Sequence, residues 1–514
     1  MFSWSTFKKI KKICRSIFWI NLTSQGLPFQ MKAEVNKMKL KIKNISMSLS
    51  LITMLFAYAN AQIKLVRTND EIVAWADDYM DNAVKFDHFS GAVLIARDGK
   101  PIFRKAYGMA NYELNVSNEI DTKFRIGSVS KQFTATAIIL LQDRGKLNVN
   151  DTICQYLDNC PDIWKPITIK NLLNHTSGIV NFTQLPAASG NFLLVPHTQK
   201  EVVDAFRNIP LESKPGEAYN YNNSGYYLLG LIIERVSGAT YAEFIRKNIF
   251  VPLGLNNTDS DDQVTVVKNK ASSYYLGRDS VFRNSEYTNM QILFSIGGAY
   301  STVDDLLLWE QSLSTGKLLS RSAIDEVFTP AKGNYGYGWS IDKLGSCNRM
   351  YHDGGITNFS SSLQRLPDDH LTIIAISNRG DDGGIRAAYD ITGKICGIPA
   401  TIRGIQPELT SLSAERSADI VRSAKSNFPI FDIQESKVEE LGNYLLLTKQ
   451  KQQAIEVFKL NVSLYPKSAN TDLKLAIAYE SIGDKATAIV ILKKCLELDP
   501  KNKIASEHLT KLNE

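Results

Sequence analysis

The 514-residue chain predicts an α+β domain followed by an all-α tail. Three observations predict it. Apolar hairpin patterns stand near both ends of a long central segment, at residues 89–108 and 360–377, and so imply one sheet built from distant parts of the chain. Apolar runs at helical spacing lie between them. Residues 437–514 repeat themselves at an offset of 34 residues. With 44% hydrophobic and 22% charged residues, the composition excludes wholesale disorder.

The chain opens on residues to be set apart from the fold. Lys39, Lys41 and Lys43 form a basic stretch, Ile45 to Phe56 an apolar one, and Ala59-Asn60-Ala61 a small-residue site with cleavage expected before Gln62. This is the pattern of a signal peptide. The apolar run is shorter than the roughly 20 residues that span a bilayer, which argues against the rival reading of an uncleaved anchor, and no stable span is expected after cleavage. Residues 1–37 read as an upstream extension, and residues 1–61 as a leader. The formal net charge of +6 belongs to this leader, whose ten basic residues and one acid contribute +9 and leave −3 for the remainder. The apparent basicity therefore gives no support for a nucleic-acid partner. Export predicts a periplasmic or secreted protein in an oxidising compartment.

Residues 89–108, FSGAVLIARDGKPIFRKAYG, place Asp98-Gly99 between two apolar runs, a type I′ hairpin signal. A helix is expected from about Ser128 to Asp143, with Phe133, Ala137, Ile138, Leu140 and Leu141 recurring at helical spacing. A second begins near Tyr226 and is closed by Gly238. Ser362–Leu366 and Leu371–Ser377 form the second hairpin around Pro367-Asp368-Asp369. Trp164, Phe182 and Phe192 fall in loops and suit either a cleft lining or the core.

The domains expected are a catalytic domain over 62–403, a linker over 404–436 and helical repeats over 437–514. In the repeats, Ala454, Ile455, Phe458, Leu464 and Pro466 recur as Ala488, Ile489, Leu492, Leu498 and Pro500. A 34-residue period marks tetratricopeptide helix pairs, which either pack internally or bind a protein partner. Five cysteines follow the leader: Cys154, Cys160, Cys347, Cys396 and Cys495. Bridges Cys154–Cys160 and Cys347–Cys396 and buried free thiols are both open. No Cys or His spacing resembles a zinc site, and no metal or cofactor is expected.

Three short motifs carry chemistry. Ser128-Val129-Ser130-Lys131 puts Ser128 and Lys131 on one helix face. A serine hydroxyl needs a base, and a lysine can be that base if burial or neighbouring cations lower its pKa. Ser130 lies on another face. Tyr221-Asn222-Asn223 offers a phenol for proton transfer, provided nearby cations depress its pKa, and an amide, Asn223, to hold a substrate carbonyl or orient the lysine. His352-Asp353-Gly354-Gly355 offers a histidine donor to substrate and glycines that let a substrate backbone approach. The N–H of Gly355 and that of Ser128 can form an oxyanion hole.

S-x-x-K, Y-x-N and H-x-G in this order resemble the serine β-lactamase and penicillin-binding-protein superfamily, its class C-like branch above all. The opening hairpin, LLNHTSGI at 172–179, Pro215-Gly216, Gly297-Gly298, Ser301 and Asp304-Asp305-Leu306 carry the same resemblance. It covers roughly residues 70–400. It implies a two-lobe fold, an antiparallel sheet with flanking helices against a helical lobe, with the site between. It further implies that Ser128 forms an acyl-enzyme, that Lys131 and Tyr221 share proton transfer, and that Asn223, His352, Gly354 and Gly355 bind substrate.

Two positions depart from the pattern. His352 stands where β-lactamases and transpeptidases carry a lysine that meets a substrate carboxylate, and Asn358 where many relatives have glycine. A neutral imidazole holds a carboxylate poorly. The reading is therefore an exported serine hydrolase acting on a small-molecule or peptide ester or amide, of esterase or D-amino-acid peptidase type. A β-lactamase or D,D-carboxypeptidase is the alternative, and a non-catalytic binding protein the second. There is no G-x-S-x-G elbow, and His175, beside Ser177, reads as ordering its loop.

Overall fold

The computed structural model describes residues 68–185, 191–277, 281–380, 382–397, 435–447 and 449–513. The expected signal peptide and its cleavage site lie outside the described residues. So does the expected linker, except Glu435 and Ser436, which open a helix.

Helix α1 (Asn69–Asp87) starts at a capping box in which Thr68 and Glu71 satisfy each other's backbone N–H groups. Strands β1 (Gly91–Arg97) and β2 (Lys100–Tyr107) form the first hairpin. Its turn residues Asp98 and Gly99 have φ of +50° and +71°, as a type I′ turn requires. Helices α2 (Lys131–Asp143), α3 (Asn223–Ser237), α4 (Met290–Gly297) and α5 (Val303–Thr315) follow. Then come β3 (Ser340–Leu344), β4 (Cys347–Ile356), β5 (Phe359–Leu366), β6 (Leu371–Ser377) and α6 (Gly383–Ile395). The six strands make one antiparallel sheet in the order β3-β4-β5-β6-β1-β2. Pairing of β1 with β6, from Gly91 opposite Ser377 to Arg97 opposite Leu371, joins the two distant hairpins.

Strand alternation divides the core between two faces. Val93, Ile95, Ile373 and Ala375 pack with Ile72, Ala76 and Met80 of α1 and Ala387 and Ile391 of α6. Ala92, Leu94, Ile374 and Ile376 belong to the larger cluster that includes Phe133 of α2, Leu229 of α3 and Leu306 of α5. Trp164 and Phe182 are buried in that cluster, which decides their role as core. Phe192 packs at its margin and stacks on His197. Helix α2 is buried from Lys131 to Leu141, so it is a core helix with no solvent face along that stretch.

Helix α3 begins at Asn223, three residues before the expected start, because Asn222 caps it by accepting from the Gly225 N–H at 2.8 Å. The β4–β5 hairpin turns on Thr357 and Asn358, with φ of +42° and +61°. Asparagine adopts the left-handed region readily, which explains its standing in for glycine. Its amide also donates to Ser285 Oγ at 2.9 Å.

Cys154–Cys160 and Cys347–Cys396 are disulfides, the second tying the start of β4 to the residue that ends α6. Cys495 is a free, buried thiol. The C-terminal helices are α7 (Glu435–Leu447), α8 (Lys451–Leu464), α9 (Ala469–Ser481), α10 (Lys485–Leu498) and α11 (Lys503–Asn513). Ala454, Phe458, Ala488 and Leu492 are fully buried, so the repeated positions are the ones that let helices approach. Helix α11 supplies Ala505 and Leu509 to the last of these cores. No helix among the described residues is long and apolar enough to cross a membrane.

Candidate active site

Ser128 lies in a single 3₁₀ turn, Gly127–Ser130, that feeds α2. In a 3₁₀ turn, residues three apart eclipse, which brings Lys131 over Ser128. The Lys131 Nζ stands 3.0 Å from Ser128 Oγ and donates to the Ile296 carbonyl at 2.7 Å. That carbonyl belongs to the last turn of α4, where main-chain oxygens lack helical partners. Lys131 is fully buried, with Nζ 5.0 Å from the Tyr221 ring centroid and 5.6 Å from that of Tyr226. Burial pushes its pKa well below the ordinary lysine value. Ser128 is only half-buried and so can be reached, whereas Ser130 is buried with its Oγ accepting from the Ala299 N–H.

The turn is pressed onto β4. Gly127 has φ +49°, and a Cβ there would come within 2.8 Å of the Gly355 nitrogen. A Cβ on Gly354 would meet the Ile126 carbonyl oxygen at 2.0 Å. Only glycines allow this approach, which sets the Ser128 turn against Gly355. The two β4 glycines then diverge in role. Gly355 is exposed, with open space on its Cβ side, and suits a substrate-facing N–H. Gly354 is buried against Ile126 and Ser361, so its expected contact with substrate is corrected to a packing role.

The Tyr221 hydroxyl is buried beside the Ser128 hydroxyl, with no other side-chain partner among the described residues. Burial raises its pKa, opposed only in part by the nearby Ser128 hydroxyl. The condition that cations depress its pKa is not met: Lys131, 5.0 Å from the ring centroid, is itself driven toward neutrality, and Tyr221 is a phenol at neutral pH. No hydrogen bond joins Lys131 to Asn223 among the described residues. Its amide donates to Thr183 Oγ1 at 2.9 Å and its N–H to Asn181 Oδ1 at 3.3 Å, fastening the motif to the 181–183 loop.

His352 is also corrected. Both ring nitrogens are taken: Nδ1 donates to the Asp353 carbonyl at 2.6 Å, and Nε2 accepts from the Tyr335 hydroxyl at 2.8 Å. No N–H is left for substrate. Burial above all pushes its pKa down to about 3. The imidazole is therefore neutral, and the site has no cation where the third motif of β-lactamases has one. The unfolded chain protonates this histidine near 6.5 and the folded one only near 3, so the unfolded state binds more protons between those values. Stability is expected to fall as pH drops from about 6.5 toward 3. In His352→Gln, urea titrations across that range should show a shallower loss; an unchanged slope would refute the assignment.

Tyr335 carries no spacing signal beyond the Tyr-Gly alternation of residues 335–338, and it escapes sequence reasoning. The same holds for the Ile296 carbonyl, since a backbone oxygen has no signature.

The Beta-lactamase family model matches residues 76–392. The chain belongs to that family. It is thus a serine hydrolase of the β-lactamase and penicillin-binding-protein superfamily, and a Tetratricopeptide repeat model matches residues 473–502 of its tail. Penicillin-binding protein 4* of Bacillus subtilis (strain 168) is 30% identical over 314 residues, 57% of this chain and 69% of that protein. A D-stereospecific amidohydrolase from Streptomyces sp. superposes with a TM-score of 0.56 at 27% identity, covering 63% of this chain and 99% of that one. The penicillin binding protein from Bacillus halodurans gives 0.54 at 26% identity, covering 62% and 97%.

Proposed function

We propose that the protein is an exported hydrolase that opens ester or amide bonds of substrates carrying no carboxylate at the third-motif position, through an acyl-enzyme on Ser128. The observation that carries the substrate class is His352. Its neutral, internally bonded ring replaces a cation, and a carboxylate would be desolvated there without a partner. The similarity to a D-stereospecific amidohydrolase supports an amide bond beside a D-configured centre. The basic–apolar leader supports export, and two disulfides fit an oxidising compartment.

The chemistry follows from the geometry. Neutral Lys131 keeps one N–H on the Ile296 carbonyl and turns its lone pair to the Ser128 hydroxyl. It takes that proton as Oγ bonds to the acyl carbon. The N–H groups of Ser128 and Gly355 receive the developing oxyanion. Tyr221, held as a phenol, gives its proton to the departing oxygen or nitrogen and is reprotonated from Lys131. Water then attacks the acyl carbon, Ser128 Oγ leaves with a proton, and the acid is released.

Turnover of nitrocefin, which carries a carboxylate, should be compared with that of a short-chain p-nitrophenyl ester and a D-amino-acid p-nitroanilide. The neutral ester or the anilide is expected to dominate kcat/KM. Fast nitrocefin turnover with neither of the others hydrolysed would overturn the substrate assignment and favour a β-lactamase.

A further inference from the structure

The Tyr221 hydroxyl is buried, and its side-chain polar interaction is with the nucleophile Ser128 itself, so its aim depends on its main chain and the rings around it. One residue supplies both. The His175 carbonyl accepts from the Asn220 N–H at 3.0 Å, and its Nδ1 accepts from the Asn222 N–H at 3.1 Å. These two bonds bracket Tyr221 in the chain. The His175 ring lies 4.5 Å from the Tyr221 ring centroid, 4.9 Å from that of Tyr226 and 4.6 Å from that of Tyr335. Tyr335 in turn holds His352. The Y-x-N motif thus packs directly on this side chain, which is 1% exposed, and His352 of the third motif is linked to it through Tyr335.

The ring's protonation state follows. Nδ1 accepts a main-chain N–H, so the proton of the neutral ring sits on Nε2. Protonating Nδ1 would break the bond to Asn222. Burial opposes that protonation.

We propose that His175 is a positioning residue for proton transfer: as a neutral acceptor it locks the Tyr221 segment and aims the phenol at Ser128. The proposal rests on the acyl-enzyme reading of Ser128, Lys131 and Tyr221. It makes an order of variants that simple core filling would reverse. Asparagine tolerates the positive φ of 58° at this position and places an amide oxygen where Nδ1 stands. Phenylalanine fills the space without an acceptor, and alanine provides neither.

The test is pre-steady-state acylation by a p-nitrophenyl ester, with KM and thermal midpoints measured alongside. His175→Asn should acylate within about threefold of wild type, and His175→Phe and His175→Ala about 100-fold more slowly with KM little changed, the cost typical of a misplaced group. If His175→Phe does not fold, the contrast of His175→Asn with His175→Ala carries the same reading. Wild-type rates in His175→Phe or His175→Ala, or a His175→Asn variant as slow as His175→Ala, would overturn it. A wild-type burst that vanishes in Ser128→Ala shows that the acyl-enzyme reading stands when the positioning role fails. No burst in wild type overturns both.

Discussion

Lys131→Ala is expected to slow acylation of Ser128 by about 1,000-fold, the middle of the range for losing a positioned general base. The Lys131 Nζ stands 3.0 Å from Ser128 Oγ, within hydrogen-bond reach of the nucleophile. The loss should fall on kcat, because Nζ faces the nucleophile and the Ile296 carbonyl and is fully buried. In wild type, kcat/KM should rise with pH along a limb set by Lys131, with its midpoint well below 10.5, since burial disfavours the ammonium and only the free amine accepts the Ser128 proton. Single-turnover kinetics across pH check both points. A Lys131→Ala enzyme that acylates at wild-type rate would remove Lys131 from the mechanism.

Gly354→Ala is expected to destabilise the domain by about 3 kcal/mol and to impair catalysis, although the glycine is buried away from substrate. Its Cβ would stand 2.0 Å from the Ile126 carbonyl oxygen and 2.6 Å from Ser361 Oγ. Ser361 Oγ also donates to that carbonyl at 2.7 Å, so the strand and the Ser128 turn must separate to admit a methyl group. Separation moves Gly355 away from Ser128 and opens the oxyanion hole. Gly355→Ala, with open space beside it, should fold like wild type. Thermal unfolding of the two variants gives the comparison, and equal stability would show that the close approach of β4 to the turn is not structural.

Much of this was legible from residue order, and the exceptions share a cause. Asp98-Gly99 could only be a tight turn, and the 34-residue offset of Ala454 and Ala488 marks where helices touch. Ser128 and Lys131 meet because i and i+3 coincide on a helical turn, a local rule that sequence displays. The donor role expected of His352 fails because residue type shows that an imidazole is present but not where its nitrogens are bound. Tyr335, 17 residues away, takes Nε2. Gly354 and Gly355 are adjacent and chemically identical. Strand alternation, which places one against Ile126 and the other facing open space, separates packing from function. For Tyr221, residue order poses only the condition that cations depress its pKa. Burial sets it instead, and burial is a property of the assembled core.

The most direct test of the central claim is the site of covalent capture by a fluorophosphonate. The protein should be labelled once, and peptide mapping by mass spectrometry should place the adduct on Ser128. An adduct on Ser130 or Ser177, or a wild-type protein that takes no label, would contradict an acyl-enzyme built on Ser128 and Lys131.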